Sequence, residues 1–176
     1  LKANVTVFLA GKLADLKDST KTNALSAQNL NISIQELNSE NINSFDHKLR
    51  HCDIIVDALF GTGLSKPAIE IMESVINKIN HHKKFTISVD INSGIDADSG
   101  LLIGPHVYSD ITFALASMKN SHLIYPAAGV TKKVKILDIG VAGAELAHSY
   151  LGNQNLTGID ISIEMIRKAK MLLPKC

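Results

Sequence analysis

Short apolar runs alternate along this chain with stretches whose apolar residues recur at helical spacing. Val5-Thr6-Val7-Phe8-Leu9 is rich in β-branched residues and closes at Gly11, which predicts a strand. Ser19 is placed to cap a helix running to about Asn29. Ile32 to Leu37 alternates apolar and polar, as a half-buried strand does, and Asn41 to Arg50 reads as a short helix. The near-continuous apolar run from Asp53 to Phe60 is that of a central parallel strand covered on both faces. Pro67 suits the first turn of a helix, and Ile69, Met72, Val75, Ile76 and Ile79 follow at helical spacing. Phe85 to Ile91, Asp110 to Ala116 and Val134 to Ile139 read as further buried strands. Strands separated by helices imply right-handed βαβ units, so the fold class is α/β with a mostly parallel sheet.

Composition narrows the function classes. The 176 residues are 45% hydrophobic and 20% charged, which is globular rather than disordered. That length holds one domain and part of a second. A formal net charge of +1 argues against binding nucleic acid by phosphate neutralisation, and against a polybasic membrane-surface protein. No apolar run reaches the ~18 residues needed to cross a bilayer. The opening Leu1-Lys2-Ala3-Asn4-Val5 is not a signal peptide, and without an initiator Met it reads as that of a fragment or processed form. Cys52 and Cys176 form neither a disulfide framework nor a metal-ligand spacing, so a reducing, cytoplasmic setting is expected. The N-x-Ser/Thr triplets at Asn4, Asn31 and Asn155 are then chance matches.

In an open α/β sheet, ligands bind beyond the carboxyl ends of the strands. Two segments put glycines and polar groups there. The first is Asp57-Ala58-Leu59-Phe60-Gly61-Thr62-Gly63-Leu64-Ser65-Lys66-Pro67, a buried strand that passes into a glycine-rich loop. Glycines let backbone N–H groups approach an anion, and Lys66 would add a point charge for a phosphate. The segment lacks both the third glycine of a dinucleotide fingerprint and the Gly-Lys-Ser/Thr ending of a Walker loop. The second is Ser88-Val89-Asp90-Ile91-Asn92-Ser93-Gly94-Ile95-Asp96-Ala97-Asp98-Ser99-Gly100. Asp90 ends an apolar strand, where an ionised carboxylate needs partners and is a candidate general base or cation ligand. Asp96 and Asp98 do not complete a calcium loop and read as solvated turn residues.

These paired motifs resemble the NAD(P)H-hydrate epimerases of the YjeF N-terminal domain family, over roughly residues 1 to 140. Asp110-Ile111-Thr112-Phe113-Ala114 and Lys135-Ile136-Leu137-Asp138-Ile139-Gly140 fit that family's last strands. The resemblance implies a Rossmann-like three-layer sandwich and interconversion of the R and S forms of hydrated NADH and NADPH. It assigns a potassium ion to Asp57 and Ser93, the substrate loop to Gly61, Thr62, Gly63, Leu64, Ser65, Lys66 and Pro67, and the substrate-contacting acid to Asp90. It also implies partnership with an NAD(P)H-hydrate dehydratase and formation of a homodimer. Two departures stand out. Asn92 replaces a frequent Pro and should change the rigidity of its turn. In addition, nothing in residues 1 to 50 matches the family's asparagine- and glycine-rich opening loop, so activity of this chain alone is expected to be impaired.

The tail follows a second pattern. Lys135 to Leu146 reads as strand, small-residue loop and helix start, and Leu156 to Ser162 as another strand ending near Asp160. Residues 134 to 176 thereby resemble the first βαβ unit of class I S-adenosylmethionine-dependent methyltransferases, in which Asp160 would hold ribose hydroxyls. Ala142 and Ala144 stand where that family has glycines. An extension of the sheet is the plainer reading of the tail. A methyltransferase fragment and a non-catalytic nucleotide-binding scaffold are the alternatives to the epimerase. The seven histidines show no constellation. His47 and His51 read as solvated helix residues, and His81 and His82 as favourable charges at a helix C-terminus.

Overall fold

A computed structural model describes residues 3–64, 66–138 and 157–158. Every paired strand runs parallel to its neighbour, as the sequence predicts. Strand β1 (Thr6–Leu9) pairs with β2 (Ser33–Glu36), and α1 (Asp18–Asn29) connects them. A five-stranded sheet follows in the order β3 (Ile54–Asp57), β4 (Phe85–Val89), β5 (Ile111–Leu115), β6 (Val134–Asp138) and β7 (Thr157–Gly158). Helix α2 (Ile42–His51) links the two sheets, and α3 (Ile71–His82) links β3 to β4.

One hydrophobic core joins the two sheets. Leu37, Phe45 and Leu49 pack with Ile55 of β3, with Val75, Ile76 and Ile79 of α3, and with Val107. Phe8 of β1 meets Phe45 edge-on, with ring centroids 5.0 Å apart. Residues i, i+4, i+7 and i+8 fall on one side of a helix, which is why Phe45 and Leu49, and Val75 and Ile79, face the same way. Asp46 braces α2 to α3 through Lys78 and His82, each 3.1 Å away. His82 thus has a specific partner as well as a favourable helix end.

Three expectations change. The run at Asp53–Phe60 is not a central strand: β3 is the edge of the five-stranded sheet, with Ile54 53% and Val56 61% exposed. Only alternate residues Ile55 and Asp57 are buried, so its apolar run marks one covered face, not two. Second, β4, β5 and β6 are not separated by α-helices. Residues 90–110 form an irregular loop, and residues 116–133 contain only short 3₁₀ turns (Asn120–His122 and Ala127–Gly129). A small second core of Ile95, Ala127 and Val130 forms within these connections. Third, Ser19 lies inside the first turn of α1, since Lys17 occupies the cap position. No described helix is long and apolar enough to cross a membrane. In the tail, β7 extends the sheet beside β6, pairing Leu137 with Thr157 and Asp138 with Gly158. Ala142, Ala144, Asp160 and Cys176 lie outside the described residues.

Candidate active site

Parallel pairing sets the position of the site. Asp57 is opposite Ser88 in the β3–β4 register, so Asp57 and Asp90 emerge at the same end of neighbouring strands. Asp57 is 1% exposed, and both its carboxylate oxygens are engaged. Oδ1 accepts the Ser93 hydroxyl at 2.5 Å and the Leu59 amide at 3.4 Å. Oδ2 accepts the Ser88 hydroxyl at 2.8 Å and the Ser93 amide at 2.9 Å. The Phe60 amide in turn donates to the Ser93 hydroxyl at 3.0 Å. Asp57 therefore ties the loop after β3 to the loop after β4. Burial raises its pKa, against the lowering effect of the hydrogen bonds from Ser93, Ser88 and Leu59.

Asp90 is built differently. Its backbone turns out of the strand at φ +70°, which ends β4 at Val89. Its amide still donates to the Phe113 carbonyl at 2.8 Å. Oδ1 accepts the Leu115 amide at 2.9 Å and the ammonium of Lys119. The imidazole of His122 closes the unit, with Nε2 donating to the Asp90 carbonyl at 3.0 Å and Nδ1 accepting the Lys119 amide at 3.0 Å. That pattern requires the neutral Nε2–H tautomer. Burial lowers the His122 pKa, with the Lys119 charge adding and the contacts to Asp90 opposing. Asp90 Oδ2 makes no hydrogen bond among the described residues and is not closed off from solvent.

Lys119 and His122 are absent from the sequence reading, in which no histidine joins a constellation. The available signal was topological. The segment after β5 must lie beside the end of β4, because those strands are neighbours.

The glycine loop is exposed at Gly61, Thr62, Gly63, Lys66 and Pro67 and half-buried at Leu64, while Ser65 lies outside the described residues. A Cβ added at Gly61 or Gly63 would meet nothing within 4 Å, and neither glycine has a positive φ. The fold itself therefore does not demand glycine there. Gly94 is the opposite: at φ +95° its Cβ would lie 2.2 Å from the Pro105 carbonyl oxygen, so only glycine fits. Pro67 does not begin a helix. Helix α3 starts at Ile71, and a Cβ on Gly104 would touch Pro67 at 3.1 Å. The loop therefore does not run straight into a helix N-terminus.

Asn92 does more than alter turn rigidity. It is 2% exposed, donates to the Val107 carbonyl and the Ser109 hydroxyl at 2.9 Å each, and accepts from Thr112 at 2.7 Å. It thus anchors the long loop to β5. Asp96 caps its own turn by accepting from the Asp98 amide and from the amide and hydroxyl of Ser99. His47 and His51 lie 4.7 Å apart, ring to ring, on an exposed stretch of α2, without a third ligating side chain among the described residues.

Residues 1–121 match the family described as YjeF-related protein N-terminus. The bifunctional NAD(P)H-hydrate repair enzyme Nnr of Moorella thermoacetica is 31% identical over 156 residues, covering 88% of this chain and 29% of that protein. The NAD(P)H-hydrate epimerase of Anaerococcus prevotii is 34% identical over 138 residues, covering 78% of this chain and 62% of that protein. This chain therefore spans less than two thirds of the length of either relative. The crystal structure of yeast ynu0, YNL200c, superposes with a TM-score of 0.59 at 20% identity, over 74% of this chain and 54% of that one, which shows a shared fold. A family match over residues 1–121, most of its length, makes this chain a member of the YjeF-related N-terminal family.

Proposed function

We propose that this chain carries the epimerase function for hydrated NADH and NADPH, with Asp90 as the group that meets the reacting centre. The observation that carries this reading is the pairing of an open glycine loop with a carboxylate that keeps one oxygen free, on one end of the sheet. Gly61, Thr62, Gly63, Leu64, Ser65, Lys66 and Pro67 form the substrate loop. The missing Cβ atoms at Gly61 and Gly63 leave room for a phosphate to approach the backbone. The similarity to proteins named as NAD(P)H-hydrate epimerases supports the substrate class.

The reaction follows from the chemistry of a carbinolamine. The C6–O bond breaks with its electron pair leaving on oxygen, the hydroxyl takes a proton that solvent supplies through Asp90 Oδ2 and departs as water, and the ring nitrogen's lone pair forms an iminium cation. Water then adds to the opposite face and returns the proton. Asp90 Oδ2 relays that proton and stabilises the developing positive charge. The exchange consumes no redox equivalent.

We assign the potassium ion to Asp57 and Ser93. Their oxygens are hard donors, 2.5 Å apart and almost fully buried, and the desolvated Asp57 carboxyl is a group whose charge a cation would offset. When bound, the ion would hold the two loops in register. The functional partner is an NAD(P)H-hydrate dehydratase that consumes one epimer, a pairing supported by the relatives named as bifunctional repair enzymes.

The test is chiral chromatography of hydrated NADH incubated with this chain, with and without potassium. A parallel arm uses a longer polypeptide that adds an asparagine- and glycine-rich loop before Leu1. Faster equilibration of the two epimers is expected, and no acceleration in either arm overturns the assignment.

A further inference from the structure

We propose that Lys119 is the positioning residue for Asp90, fixing Oδ1 so that Oδ2 alone is presented to substrate. This deepens the epimerase reading and rests on it. The geometry is over-determined for a simple surface pair. All three ammonium hydrogens of Lys119 have acceptors: Asp90 Oδ1, the Leu115 carbonyl at 2.8 Å and the Ser117 carbonyl at 3.2 Å. The carbonyl of Leu115 and its amide thus grip the two partners of the ion pair from one residue. His122 adds a second strap between the same residues, from the Lys119 amide to the Asp90 carbonyl. The side chains of Lys119 and Asp90 are only 19% and 20% exposed.

The backbone is bent to fit. Asp90 and Ala116 both take positive φ, at +70° and +61°, conformations that persist only where the surroundings enforce them. A carboxylate held twice at Oδ1 cannot exchange its oxygens by rotation. Charge balance gives a second reason for the lysine. A hydrated nicotinamide nucleotide carries phosphate charge, which a lone carboxylate would repel. The Asp90–Lys119 pair is neutral overall, so it delivers a proton-accepting oxygen without net negative charge.

The experiment compares Lys119→Met, Lys119→Arg, Asp90→Ala and the double variant Lys119→Met/Asp90→Ala in the epimerisation assay. Lys119→Met is expected to lower kcat by about 10–100-fold, as for a misplaced reacting group, with KM changed less than about threefold. Lys119→Arg should recover most of that loss. In the Asp90→Ala background, Lys119→Met should cost nothing further, because the lysine acts through the aspartate. Multiplying losses in the double variant, or a loss confined to KM, would overturn the proposal. A second measurement separates it from the epimerase reading. Hydrogen exchange at the Leu115 amide, which donates to Asp90 Oδ1, should rise about tenfold or more in Lys119→Met while the Phe113 amide is unchanged. Unchanged exchange at Leu115 refutes the positioning role even if no turnover is found in any variant. Faster exchange with no turnover in either the parent chain or the longer polypeptide leaves Lys119 holding Asp90 and removes the epimerase assignment instead.

Discussion

Asp57 and Asp90 are the same residue type at the same end of adjacent parallel strands, and their surroundings give them opposite work. Asp57 is sealed, with donors on both oxygens and burial raising its pKa. Asp90 is partly open, gripped on one oxygen and, among the described residues, without a hydrogen bond on the other. The difference begins in the backbone. Asp57 is the last residue of a regular strand, so its side chain stays in the buried row with Ile55. Asp90 sits just past its strand at positive φ, which turns it out of that row toward β5 and Lys119. A strand end can thus seal a carboxylate or leave it partly open, according to whether the chain turns before or after it.

Substitutions can break this comparison. The largest effect is expected from Asp90→Ala, which should slow epimerisation by about 10²–10⁴-fold, the usual contribution of a positioned acid–base group. Its urea unfolding midpoint should move less than that of Asp57→Ala, and a larger stability loss with retained turnover would reverse the roles given to the two aspartates. Asp57→Ala should act first on stability. It strips the acceptor from the Ser93 amide, the Ser93 hydroxyl and the Ser88 hydroxyl, all buried, and should cost about 3 kcal/mol in urea denaturation.

A smaller effect separates the sites by pH. His122 is held neutral, its pKa below the ordinary 6.5. Its contribution to stability is therefore complete above pH 6.5 and is lost as pH falls through the lower folded-state value. Denaturation midpoints of the parent chain should decline over that acid range, and His122→Gln should remove that part of the slope. The smallest effect on stability is expected at the glycine loop. Gly61→Ala should leave the unfolding free energy within about 0.5 kcal/mol, since its Cβ enters open space, yet raise KM. A stability loss there would mean that the loop's glycines serve the fold and not a ligand.

Much of this was legible from the residues. The β-branched runs gave each of β1 to β6 to within a few residues, because a strand must bury an apolar row whatever its neighbours are. The two glycine- and aspartate-bearing segments do emerge together at one end of the sheet, since strand ends in parallel sheets collect polar groups. The reading failed where the next element decides. The apolar run at β3 looked covered on both faces, but periodicity does not reveal that a strand lies at a sheet edge, as Ile54 and Val56 do by their exposure. Pro67 fits a first helical turn locally, yet α3 begins only at Ile71.

The sequence by itself determined the α/β class, the parallel pairing and the two aspartate loops, because those follow from local periodicity and from residue chemistry over short spans. Only the tertiary structure decided which aspartate is sealed and which is open, made Asn92 an anchor, and brought Lys119 and His122 to Asp90 across some thirty residues. Those outcomes depend on strand order and on a single reversed backbone angle, and neither leaves a mark in the spacing of apolar and polar residues.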